Sequence, residues 1–280
     1  MKILLFGATG LFGTEFEDIC AEQNVDFVGL SHSDVDVTDH QAVEDLIRKH
    51  APDVVINAVA IVGIDPCEDN PGPAYAINAA APAAMARYCG ENSIIFVQTS
   101  THAVFDGEKT TPYTEDDTPN PISVYSLSKF AGECFARELC DKHYVVRLTT
   151  MFGRRRNAAP GFVDKMVERF QNGVDIRVAE DKYDSPSYAR DSATALLNLL
   201  TSGQPWGTYH IANKGNVNYY EFILELKSLL SAENDVQAAK DSDFPGKGHK
   251  PLRTAIASNK LQPVSGWQDA LKRYVDRELL

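Results

Sequence analysis

The chain predicts an α/β protein, a doubly wound parallel sheet followed by a smaller C-terminal lobe. Three observations predict it. Short apolar, β-branched runs alternate with helix-period segments through the first half of the chain, the rhythm of βαβ units. Gly7, Gly10 and Gly13 stand between the first apolar run and the first helical pattern. Beyond about residue 150 the rhythm loosens, with Gly and Pro scattered from Gly153 to Gly266.

Taken in order, Lys2–Phe6 is a first strand, residues 13–22 a helix, Asp26–Leu30 a second strand and His40–His50 a helix. The run 53–58 is a third strand, a helix crosses 73–90, and 93–99 is a further buried strand. Right-handed crossovers would stack these strands into one sheet with ligands at their carboxyl ends. Residues 108–124, with Pro112, Pro119 and Pro121, read as a long surface loop leading into a helix near Val124, and such loops are usually functional. Residues 144–148 form another strand. Residues 1–150 are therefore expected to form the sheet domain, rejoined by a late helix within about 185–202, and residues 151–280 mainly a substrate-side lobe.

Composition excludes several classes. The 280 residues, 44% hydrophobic and 24% charged, are enough to bury a substantial core without covalent staples. A net charge of -12 argues against a nucleic-acid surface, which needs an extended basic face. No apolar run nears the ~20 residues of a membrane span, and Lys2–Phe6 is too short for a signal peptide's apolar region, so a cytoplasmic protein is expected. Cys20, Cys67, Cys89, Cys134 and Cys140 are odd in number without C-x-x-C spacing, which indicates neither disulfides nor a metal site.

The residues that carry chemistry come in four segments. Gly7-Ala8-Thr9-Gly10-Leu11-Phe12-Gly13 is a βα turn whose glycines let a pyrophosphate approach the free N–H groups of a helix start. Its spacing is G-x-x-G-x-x-G in place of the usual G-x-G-x-x-G. After the second strand no acid precedes Asp34 and no arginine precedes Arg48, so the choice between a ribose 2′-hydroxyl and a 2′-phosphate stays open. Asp36 and Val37 are candidates for the adenine pocket, or Asp36 belongs to a solvated capping run with Asp34 and Asp39. Thr101 follows the strand 93–99 with Ser100 as competitor, and a hydroxyl there can steady charge developing on a carbonyl oxygen. Tyr125 and Lys129 lie four residues apart on one helix face, where the ammonium can lower the phenol's pKa for proton transfer. Asp184-Ser185-Pro186-Ser187-Tyr188 is the fourth segment.

With Thr101-His102-Ala103-Val104-Phe105-Asp106-Gly107, Pro112-Tyr113-Thr114-Glu115, Gly132-Glu133, Gly207-Thr208-Tyr209-His210-Ile211 and Lys250-Pro251-Leu252-Arg253-Thr254, the chain resembles the extended short-chain dehydrogenase/reductases. Within them it is similar to the dTDP-4-dehydrorhamnose reductase family nearly end to end. The resemblance implies an NAD(P)-binding Rossmann domain with a small nucleotide-sugar lobe, and reduction of a 4-keto group by NADPH or NADH. It implies Tyr125 as proton donor, Lys129 as the nicotinamide-ribose lysine and Thr101 as the carbonyl-binding hydroxyl. The cofactor contacts it implies are Gly7, Thr9, Gly10, Leu11, Phe12, Gly13, Asp36, Val37, Ala58, Ala60 and Ile61, besides Tyr125 and Lys129. Thr150 falls on the substrate side; His102 is either a pH-sensitive substrate contact or a histidine filling the pocket wall and bonded to backbone, and Arg253 is a candidate substrate contact.

Three departures stand out: His102-Ala103 where the family usually has Asp-Tyr, Thr150 where it commonly has a tryptophan, and Asp184 in place of a usual glycine. Arg154-Arg155-Arg156 is either a diphosphate clamp or a solvated loop, and Lys250 and Arg253 are similar candidates. Dimerisation is common among these enzymes, so a homodimer is an open expectation. Alternative readings are an epimerase of the same superfamily and a non-catalytic NADP-binding subunit resembling the regulatory β subunit of methionine adenosyltransferase.

Overall fold

The computed structural model describes residues 1–153, 160–262 and 264–280. The first half runs β1 (Lys2–Phe6), α1 (Leu11–Glu22), β2 (Asp26–Leu30), α2 (His40–His50), β3 (Val54–Asn57), α3 (Ile64–Asp69), α4 (Pro71–Tyr75), α5 (Ala81–Glu91), β4 (Ile95–Thr101), α6 (Val124–Leu139) and β5 (His143–Leu148). The second runs β6 (Met151–Phe152), α7 (Phe162–Gln171), β7 (Ile176–Ala179), β8 (Tyr183–Asp184), β9 (Ser187–Tyr188), α8 (Ala189–Thr201), β10 (Gly207–His210), β11 (Asn213–Lys214), β12 (Val217–Asn218), α9 (Tyr219–Leu229), β13 (Val236–Ala239), β14 (Val264–Gly266) and α10 (Trp267–Tyr274).

Six parallel strands form the central sheet in the order β10-β5-β4-β3-β1-β2. Because both faces are covered, the inner strands β1 and β3 are near-continuous apolar runs. Ile3 and Leu5 of β1 turn to α1 and α8, where Phe16, Ile19, Leu196 and Leu197 close one core. Leu4 and Phe6 turn the other way, onto Ile47 of α2 and Met85 of α5. Each such fully buried side chain contributes roughly 1.5–3 kcal/mol. The chain leaves β1 toward β2 on one side and returns as β3 on the other, so a crevice opens at their carboxyl ends.

A third core is built from Phe152, Val163, Phe170, Ile176, Tyr188, Phe222, Leu226, Trp267 and Leu271. It lies in the second half of the chain, held by small two-stranded pairings, β7 with β13 and β8 with β12. Helix α8 packs instead against α1 on the main sheet. Strand β10 also joins that sheet, beside β5, and its Gly-Thr-Tyr-His sequence has no apolar run to mark it.

The expected helix over 73–90 is divided. Between α4 and α5 lies a π-helical turn, Ala76–Ala80. Pro82 supplies the reason: it has no N–H to bond the carbonyl of Asn78 four residues back. That carbonyl instead lies against α6, where a Cβ on Gly132 would come within 2.5 Å of it. Helix α1 begins at Leu11, two residues before the expected start, with Gly10 in the capping position. Strand β4 runs on to Thr101. Among the described residues no helix is long and apolar enough to cross a membrane.

Candidate active site

The carboxyl ends of β1, β3 and β4 meet the start of α6, and every element there has a local cause. Gly7 has φ +97°, a conformation L side chains avoid, and a Cβ on it would lie 2.9 Å from the Ala58 carbonyl. The N–H groups of Gly7 and Ala8 donate to the Leu30 carbonyl at 2.8 and 3.0 Å, and that of Gly10 donates to Gly7 O at 3.1 Å. A Cβ on Gly13 would meet the same Gly7 oxygen at 2.3 Å, so only glycine lets α1 sit this close to the turn. Leu11 and Phe12 root the turn in the core, whereas Thr9 and Gly10 form its exposed rim. No side chain caps α1, which leaves first-turn N–H groups for an anion.

Beyond β2 the acidic run is largely occupied with itself. Asp36 is exposed and accepts from the Thr38 N–H at 2.9 Å and hydroxyl at 2.7 Å, bonds that hold its carboxyl below the usual carboxylate range. Asp34 closes a turn with Ser31, and Asp39 caps α2 through the Ala42 N–H. The Val37 side chain belongs to the core under the sheet.

After β3 the chain passes through Ala58, Ala60 and Ile61, all half-buried. Asn78 clamps this segment: its Oδ1 accepts from Ile61 N–H at 2.9 Å, and its Nδ2 donates to Ile61 O and to Ser128 Oγ, both at 3.0 Å. Its role escaped the sequence reading because it sits in the middle of an apparent helix. Pro82, four residues on, was the available signal.

Thr101 ends β4, opposite Leu148 in register. Its Oγ1 accepts from the Ala103 N–H at 3.1 Å, so its own proton can go to the Tyr125 phenol or to a carbonyl oxygen placed beside it. Ser100 is different: its Oγ donates to Glu133 Oε1 at 2.5 Å inside a buried network. The structure thus separates two hydroxyls that the sequence left as competitors. A capping box of Ser123 and Ser126 starts α6 and fixes Tyr125 and Lys129 in its first turns.

Burial pushes the Tyr125 phenol up to about 12, opposed by the Thr101 hydroxyl. Lys129 is buried, with Nζ donating to Thr99 O at 2.8 Å. Burial lowers its pKa to about 8, against the favourable field of Glu133. The Thr101 hydroxyl is the group that opposes the rise at Tyr125, while Lys129 Nζ is turned to the Thr99 carbonyl.

Beneath these residues lies a pair that the sequence did not signal. Arg147 of β5 and Glu133 of α6, both buried, bond twice, Nε to Oε1 at 3.0 Å and Nη2 to Oε2 at 2.8 Å. His210 adds a contact to Arg147 at 3.4 Å and bonds the Ala257 carbonyl at 3.0 Å.

Residues from the second half of the chain meet the turn that follows Thr101. His102 Nδ1 bonds Asp184 Oδ1 at 2.8 Å. Asp184 also accepts from the N–H groups of Ser185 at 2.7 Å and Thr150 at 3.3 Å. Thr150 Oγ1 pairs with the Tyr219 hydroxyl at 3.1 Å. Arg253 places its guanidinium 5.5 Å from the Tyr183 ring centroid. Lys250 is engaged with the Phe244 carbonyl at 2.7 Å. Arg154, Arg155 and Arg156 lie outside the described residues. Among the described residues no group of His, Cys, Asp and Glu could hold a metal ion.

A profile of the family described as RmlD substrate binding domain matches residues 1–279, nearly the whole chain. The chain belongs to this family. Consistent with membership of the RmlD family, it is similar to the dTDP-4-dehydrorhamnose reductase of Streptomyces griseus, 32% identical over 279 residues that cover 96% of this chain and 91% of the relative. A solved dTDP-4-dehydrorhamnose reductase of Clostridium acetobutylicum superposes with a TM-score of 0.93 at 31% identity, covering 99% of each chain. One from Bacillus anthracis, in complex with NADP, gives 0.92 at 26% identity, again covering 99% of each.

Proposed function

We propose that this chain reduces the 4-keto group of a nucleotide-linked deoxysugar with NADPH or NADH. The named reductases and the NADP-bound neighbour support that class of substrate and cofactor. The observation that carries the reading is the convergence of Thr101, Tyr125 and Lys129 beside a glycine cradle that any Cβ would fill.

When bound, the nicotinamide cofactor supplies hydride. Gly7, Gly10 and Gly13, with the N–H groups of Leu11 and Phe12, are suited to its pyrophosphate, with Thr9 at the rim. Asp36 and Val37 lie toward the adenosine end, and Ala58, Ala60 and Ile61 line the side that Asn78 holds in place. Thr101 donates to the keto oxygen, and Tyr125 delivers the proton to that oxygen as it becomes an alkoxide. A phenol at about 12 is fully protonated at neutral pH, as a donor must be. Lys129, at about 8, is mostly charged there and stabilises the phenolate left behind. His102, Thr150 and Arg253 face the sugar nucleotide. A cytoplasmic homodimer completes the proposal, with size-exclusion chromatography as its check.

The test is NADPH and NADH oxidation by the purified chain against dTDP-, GDP-, UDP- and CDP-4-keto sugars. Turnover with one of them supports the reading. No oxidation with any, together with retained NAD and interconversion of hydroxyl epimers, would point to the epimerase.

A further inference from the structure

Two charged or polar residues meet across the cleft from different lobes. His102 opens the short turn that follows Thr101; Asp184 ends β8. The carboxylate is 1% exposed and accepts from the Ser185 and Thr150 N–H groups as well as from the ring. Burial alone would raise its pKa, but the His102 ring, with these N–H groups, holds it below the usual range. It is therefore an anion and an acceptor, so the ring's Nδ1 carries the hydrogen between them.

The opposite ring nitrogen is left over. Nε2 has no hydrogen bond among the described residues, and the side chain keeps 13% of its surface exposed. Nε2 is the ring's remaining polar atom, an acceptor in the neutral ring and a donor in the cation. A hydroxyl group, which both donates and accepts, can bond it in either form, and His102 stands one residue from the hydroxyl assigned to the keto oxygen.

We infer that His102, oriented by Asp184, is a specificity-determining residue whose Nε2 hydrogen-bonds a sugar hydroxyl on the carbon beside the keto group. Asp184 is its positioning residue. The pair selects sugars bearing that hydroxyl over those in which it is missing or methylated, because a site built to bond a hydroxyl rejects the analogue that leaves its polar atom unpaired. The inference rests on the ketoreductase reading and adds to it the substituent that the substrate must carry.

The experiment pairs two nucleotide 4-keto sugars that differ only in that hydroxyl, and measures both turnover and calorimetric binding to the NADPH-loaded protein. The wild-type chain is expected to favour the hydroxyl-bearing sugar at least about tenfold in affinity and in KM. His102→Ala abolishes the preference by weakening that sugar alone, with kcat changed less than KM. His102→Gln, whose amide reaches the Nε2 position, restores part of it. Asp184→Asn weakens the preference in the wild type and adds nothing in the His102→Ala background.

Equal losses for both sugars, or additive effects of the two substitutions, would overturn the inference while leaving the ketoreductase reading intact. Binding discrimination that depends on His102, without turnover of either sugar, would overturn the reading and keep the contact. A wild type that neither binds nor reduces either sugar would overturn both.

Discussion

The two walls of the cleft are built by different means. On the proposed cofactor side the surface is main chain: Gly7 against the Ala58 carbonyl, Gly13 against the Gly7 oxygen, and the uncapped start of α1. On the proposed substrate side it is side chain: His102 on Asp184, Thr150 on Tyr219, Arg253 over Tyr183. A backbone surface accepts a ligand part shared by many proteins and tolerates little change, whereas a side-chain surface can be rewritten one residue at a time. Glu133 and Arg147 lie beneath the junction and tie α6 to β5.

The contrast can be broken most severely at the turn. Gly13→Ala puts a methyl into backbone atoms that cannot yield, and should cost about 3 kcal/mol or more. Thermal unfolding and NADPH fluorescence titration would show a lower Tm and weakened cofactor binding. Next comes the buried tie: Glu133→Ala strands the Arg147 guanidinium without its carboxylate, a loss of about 3–5 kcal/mol, measured by urea unfolding.

A smaller effect follows from pH. Burial lowers the pKa of His210 to about 4, below its ordinary value of about 6.5. The unfolded chain therefore binds a proton that the folded one refuses, and stability present above about pH 6.5 is lost progressively as pH falls toward 4. Tm recorded over that window should drop by several degrees from this group, and His210→Gln should flatten that part of the slope. The smallest effect belongs to the side-chain wall: Thr150→Val removes one bond to Tyr219, should cost about 1 kcal/mol and should leave NADPH affinity unchanged in the same titration.

Legibility in the sequence followed the same division. The sheet was readable because strands buried on both faces are continuous apolar runs, as Val54–Asn57 shows, and the glycine turn because its conformation leaves no other residue. Tyr125 and Lys129 were readable as a pair on one helix. The Asn78 clamp was hidden within an apparent helix, and β10 lacks an apolar run. Glu133, Arg147 and His210 are ordinary charged residues until the fold buries them together. Asp184 was marked as part of the fourth segment and as a departure from pattern, but its pairing with His102, 82 residues away, was not readable.

The central claim is that Tyr125 gives its proton to the keto oxygen while the cofactor wall works independently of it. Tyr125→Phe, assayed by NADPH oxidation with the best keto sugar from the panel, should lose at least about 100-fold in kcat, with NADPH affinity by fluorescence titration within about threefold of wild type. Undiminished turnover in that variant would contradict the account.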